Sequence, residues 1–151
     1  MHDYRRVLAV VDFSDLGRAV ARRALVLAAA DGVNLAFLHL VAADVCMDGG
    51  YPAPSRHERA RAYEQAALTR LAFLSATLSS RMPELLARCG HPKDDFADCV
   101  TNWRPDLVVA GHPAAYLDGR HDLLTLGRAS STGPGRLKRL LGGLISPVTY
   151  A

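Results

Sequence analysis

Two apolar runs in this chain end in residues that can do chemistry. "RVLAVVD" (6–12) stops at Asp12, and "DLVVAG" (106–111) stops at Gly111, which His112 and Pro113 follow. A carboxylate at the end of a strand can hydrogen-bond a ribose or an adenine, and it can equally cap the helix that follows. His112 can contact a ligand or serve as a pH-sensitive group, or it can simply close a strand end. A glycine at such a place lets backbone amides curl around an anion, so Gly111 raises the question of a phosphate-binding turn. Further on, "GRASSTGPGRLKR" (127–139) offers Gly127, Ser130 and other hydroxyl, glycine and cationic groups just ahead of a helix, an anion site of a different design.

Other chemistries lack their residues. There is no Gly-x-Ser-x-Gly elbow, and the Lys-Ser/Thr ending of a P-loop is absent. Gly133-Pro134-Gly135 starts like a dinucleotide fingerprint, but Lys138 stands where the third glycine belongs and no buried strand immediately precedes it. His39 lies inside a strand pattern and reads as a core or half-buried histidine. His2, His57, His91 and His121 show no metal-ligand spacing, so no metal is expected. Cys46, Cys89 and Cys99 lie far apart and read as reduced, mostly buried thiols of a cytoplasmic protein, with a disulfide or a reactive thiol as the alternative.

The elements that must position these residues follow from the pattern. The 151 residues make one domain, and with 50% of them hydrophobic the chain can bury a real core. Asp12 ends the first apolar run too early for a signal peptide, and no stretch reaches the roughly 18 apolar residues of a membrane span. Strands are expected at 6–12, 34–41, 84–90 and 106–111, with a last, edge strand at 146–151 because Pro147 has no amide hydrogen to donate. Helices are expected after Ser14, along Tyr63, Ala67, Leu71, Leu74 and Leu78, along Phe96, Val100 and Trp103, and along Leu137, Leu140, Leu141 and Leu144. Strands alternating with helices predict a doubly wound α/β domain with a parallel sheet covered on both faces. Ligands of such sheets sit beyond the carboxyl ends of strands where the winding reverses.

Charge is spread unevenly. Residues 1–115 hold 13 Lys/Arg and 13 Asp/Glu, whereas residues 116–151 hold five against two, so the formal excess of +3 sits in the last quarter. That bias could draw a phosphate-bearing ligand, or it could be a solvated basic helix face. With no aromatic residues interleaved there, a nucleic-acid surface is not expected.

"RVLAVVDFSD", "LAFLHLV", "GHPKDDFADCV", "PDLVVAGH" and "SPVTYA", in that order and spacing, resemble the universal stress protein family over roughly residues 4–112 and 136–151. The resemblance implies a five-stranded parallel Rossmann-like sheet of order 3-2-1-4-5. It also implies a homodimer in which the C-terminal strand pairs with its counterpart. In members that bind ATP, positions matching Asp12 and Val41 hold the adenosine. The phosphates there lie on a loop of Gly, two residues, Gly, nine residues, then Gly with Ser or Thr behind it.

This chain departs from that loop. After Gly111 come Pro113, Ala114 and Leu124 where the loop needs an amide donor and two glycines, and Gly127 comes three residues late with Arg128 behind it. "VVAGHP" and "VVDFSD" are closer to the branch that lacks the glycine loop. The expectation is a non-enzymatic stress-response or regulatory homodimer of the cytoplasm. It would carry no cofactor, bind ATP weakly or not at all, and meet a regulatory protein partner, with neither nucleic acid nor membrane involved. The alternative is an adenine-nucleotide-binding protein, with slow hydrolysis at most, whose phosphate site is rebuilt around Gly127–Gly135. The site residues on either reading are Asp12, Val41, Gly111, His112, Gly127 and Ser130, overhung by an inserted loop at 113–135.

Overall fold

The computed structural model describes residues 3–44, 55–112 and 121–127. In chain order these form β1 (Arg6–Val10), α1 (Asp15–Leu27), β2 (Asn34–Ala42), α2 (Arg56–Leu78), β3 (Glu84–Gly90), α3 (Pro92–Trp103), β4 (Leu107–Ala110) and β5 (Asp122–Thr125). The strands make one parallel sheet of order β3-β2-β1-β4-β5. The doubly wound α/β class and its strand order are those expected.

Each helix begins where its sequence supplies a start. Ser14 Oγ accepts the Gly17 amide and Ser55 Oγ accepts the Glu58 amide, satisfying donors that the first turns of α1 and α2 leave open. α3 starts on Pro92, which lacks the amide hydrogen a first turn cannot use, and carries Asp94 and Asp95 near its positive end. It stops at Arg104, which turns to φ 52°.

β1 is the centre of the sheet and is buried on both faces. Val7, Ala9 and Val11 pack with Val20, Ala21 and Ala24 of α1 and with Leu71 and Leu74 of α2. Leu8 packs on the other side with Phe96, Cys99 and Trp103 of α3. At the amino ends of the strands the Asp106 carboxylate accepts the amides of Arg5 and Arg6 at 2.8 and 3.0 Å. There the Trp103 indole donates to Glu84 at 2.7 Å beneath the Arg6 guanidinium, 4.4 Å from the ring centroid. This end is fastened by polar contacts.

The fifth strand corrects the sequence reading. It is Asp122–Thr125, paired with β4 through Val108↔Leu123 and Val109↔Leu124, and so lies within the segment expected as an inserted loop at 113–135. Leu123 is fully buried on the α3 side, and Leu124 is buried on the side of α1 and α2. Tyr4 donates to the Asp122 carboxylate at 2.8 Å, tying the new strand to the start of the chain. Four residues are too few to establish a period, and a Leu pair between polar neighbours reads as loop until a partner strand is known. The helix expected along 137–144 and the strand expected at 146–151 lie outside the described residues.

Because Leu123 fills the core beside α3, Leu123→Ala should lower unfolding stability by about 2–5 kcal/mol, the usual cost of such a cavity. Urea denaturation checks this, and a loss below about 0.5 kcal/mol would mean that 122–125 is a surface loop after all.

Candidate functional site

β1 lies where the winding changes direction, with β2 on one side and β4 on the other. The connections leaving β1 and β4 therefore diverge, and a crevice opens between them at the carboxyl ends of the strands. The crevice has a volume of about 330 Å³, and its lining includes Asp12, His39, Pro92, Gly111 and His112. Three residues expected at the site, Asp12, Gly111 and His112, are thus brought together.

The Asp12 carboxylate works locally before any ligand arrives. Its Oδ1 accepts the Ser14 amide at 3.0 Å and also the Ser14 hydroxyl, while Ser14 Oγ in turn accepts the Gly17 amide at 3.1 Å. This turn is tight: a Cβ on Gly17 would lie 2.0 Å from the Asp12 carbonyl oxygen, so only glycine lets α1 begin so close to the strand it follows. Both readings of Asp12 remain chemically available, since it fastens the start of α1 and stays exposed to solvent.

On the β2 side His39 is half-buried, with its Nδ1 2.8 Å from the Val11 carbonyl oxygen. That contact makes Nδ1 the donor and leaves Nε2 as the nitrogen able to accept. Phe13 leans against this imidazole with ring centroids 4.6 Å apart. Val41, expected to hold an adenosine, is half-buried opposite Cys89 of β3 and is not part of the crevice lining among the described residues. His39 and Pro92 line the crevice although sequence reasoning gave them no such role. The available signal was position, because both lie close to the carboxyl end of a strand.

Gly127 reaches the site by running on past β5. Leu126 donates its amide to the Ala110 carbonyl at 3.1 Å, and Gly127 donates its own to the Gly111 carbonyl at 2.5 Å. A Cβ on Gly127 would lie 2.3 Å from that carbonyl oxygen and 2.5 Å from His112 Nδ1. Gly127 is a packing glycine here, seated against Gly111 and His112 with its amide already engaged. Ser130 lies outside the described residues.

Two cysteines lie on β3 and α3. Cys89, closing β3, is disulfide-bonded, which corrects the expectation of three reduced thiols. Linear spacing could not reveal a bond that depends on approach in space. Its amide donates to the Glu64 carboxylate at 2.9 Å. Cys99 is free and buried, and burial pushes its thiol above the usual value, which keeps it protonated and unreactive. Among the described residues no group of three His, Cys, Asp or Glu side chains could hold a metal ion, and no helix is long and apolar enough to cross a membrane.

The universal stress protein family model matches residues 3–143. No curated protein sequence matches the chain. Among solved structures, it is similar to a hypothetical protein whose biochemical function was assigned from its structure, with a TM-score of 0.62 at 12% identity over 85% of this chain and 99% of that one. It is also similar to a universal stress protein solved in complex with cAMP, with a TM-score of 0.58 at 17% identity over 83% and 98% of the two chains. A third similar structure is the universal stress protein UspA from Lactobacillus plantarum, with a TM-score of 0.49 at 23% identity over 80% and 85%. At these identities the first two structures speak for the fold alone, and the family match across nearly the whole sequence carries the assignment: the chain belongs to the universal stress protein family.

Proposed function

We propose that this universal stress protein is a non-enzymatic, regulatory homodimer of the cytoplasm that does not hold ATP in the manner of the glycine-loop members. One observation carries the reading: the Gly127 amide, the nearest substitute for a phosphate-binding donor, is spent on the Gly111 carbonyl at 2.5 Å. A triphosphate is held by amides that point at it unengaged, so each internal hydrogen bond of this kind removes a donor from the cradle. Pro113 removes another, having no amide hydrogen. The Asp12 carboxylate, which would meet the adenosine, already serves Ser14 and the start of α1.

The crevice then acts as a surface that a regulatory protein partner reads, with exposed His112 and Asp12 at its mouth. By the family resemblance the homodimer forms through residues 146–151, which lie outside the described residues. In the cytoplasm the Cys89 disulfide would exchange with the thiol pool instead of acting as a permanent staple.

A second reading is kept by the crevice itself. About 330 Å³ at the point of reversed winding can seat a small nucleoside-sized ligand, and Asp12 faces solvent there. On that reading the chain binds an adenine nucleotide through a phosphate site rebuilt around Gly127–Gly135, Ser130 included.

Calorimetric titration with ATP and magnesium separates the two. The first reading expects binding weaker than about 1 mM and no nucleotide released on denaturing fresh protein, and stoichiometric micromolar binding would establish the second. Gly127→Ala should lower stability by about 1–3 kcal/mol through its clash with Gly111, measurable by denaturant unfolding, with nucleotide titration unchanged. Removing residues 146–151 should convert a dimer to a monomer in sedimentation velocity, and a dimer that survives would place the interface elsewhere.

A further inference from the structure

On the far side of the Asp12 turn from the crevice lies a second and larger cavity. It has a volume of about 460 Å³ and is walled by Phe13 and Arg18 from the start of α1 and by Thr69, Arg70, Phe73 and Leu74 from α2. Among the described residues α2 contributes nothing to the lining of the crevice, and the residue common to both linings is Asp12.

Its walls are chemically specific. Phe73 is 75% exposed, on a helix whose other large apolar side chains at this level, Leu71 and Leu74, are buried. Nothing in the packing of α2 requires an aromatic ring at that position. The Arg70 guanidinium lies over the Phe13 ring, 3.8 Å from its centroid, and Phe13 is itself held by His39. That contact holds the guanidinium at the wall of the cavity, where its planar fork of N–H donors matches the oxygens of a carboxylate, sulfonate or phosphate. Arg18 adds a second positive charge on the opposite wall. Among the described residues the acidic side chain in the lining is Asp12, whose Oδ1 is occupied by Ser14.

Two cations and an exposed aromatic ring around a space of this size describe a ligand that is flat, largely apolar and negatively charged at one end. We infer that the cavity between the start of α1 and α2 binds a small aromatic anion, with Arg70 and Arg18 on its acidic group and Phe73 against its ring, while Phe13 holds the Arg70 guanidinium in place. This site stands whether or not the crevice takes a nucleotide.

The probe is 8-anilinonaphthalene-1-sulfonate, titrated by fluorescence into the full chain, beside its uncharged parent N-phenyl-1-naphthylamine. The sulfonate should bind with one-to-one stoichiometry, and Arg70→Gln and Phe73→Ala should each weaken it by about tenfold, equivalent to ~1.4 kcal/mol. The uncharged parent should bind more weakly and lose nothing on Arg70→Gln. Both positions are exposed, and unchanged far-ultraviolet circular dichroism confirms that the variants fold. His112→Ala, which alters only the crevice, should leave the affinity as it was, and ATP should not displace the probe. Affinity untouched by both α2 substitutions, equal loss with His112→Ala, or displacement by ATP would each overturn the assignment.

Discussion

The molecule is organised by one constraint, the burial of β1 on both faces with parallel neighbours on both edges. A strand in that position must be apolar throughout, as Val7, Leu8 and Ala9 are, and its exit must rise clear of the sheet at once. Asp12, Ser14 and Gly17 make that exit possible. The carboxylate and the hydroxyl satisfy amides that the turn exposes, and the missing side chain of Gly17 lets α1 start against its own lead-in. Because β2 and β4 leave β1 in opposite directions, the same exit separates two spaces, the crevice beside β4 and the cavity beneath α2.

Those spaces differ in what they offer. The crevice is apolar at its floor and rimmed by Asp12 and His112, with the Leu126 and Gly127 amides beside it given to the Ala110 and Gly111 carbonyls. The α2 cavity has free cationic edges and exposed aromatic surface instead. On the proposed reading, the donor at one opening is spent inside the protein and anion-binding groups gather at the other. Function belongs to such placements more than to the fold that carries them.

What could be read beforehand follows the range of the interactions concerned. β1, β2 and β4 were legible because strands buried on both faces must be continuously apolar, and α1 and α3 because Ser14, Pro92 and Pro105 punctuate them. β5 was not, since Leu123 and Leu124 acquire meaning only from pairing with Val108 and Val109. At the site, Asp12, Gly111 and His112 announced themselves as strand ends, whereas Val41 stands apart from the crevice lining. The stack of Arg70, Phe13 and His39 joins three elements and could not be seen in any local pattern. The disulfide at Cys89 was hidden for the same reason.

The central claim is that the end of β4 is closed to phosphate because the Gly127 amide belongs to Gly111. Nitrogen-15 NMR of the full chain, with hydrogen exchange and stepwise addition of ATP and magnesium, observes that amide itself. A Gly127 amide protected from exchange and unmoved by nucleotide is the predicted result. A Gly127 amide that exchanges freely with solvent and shifts as ATP is added would contradict it.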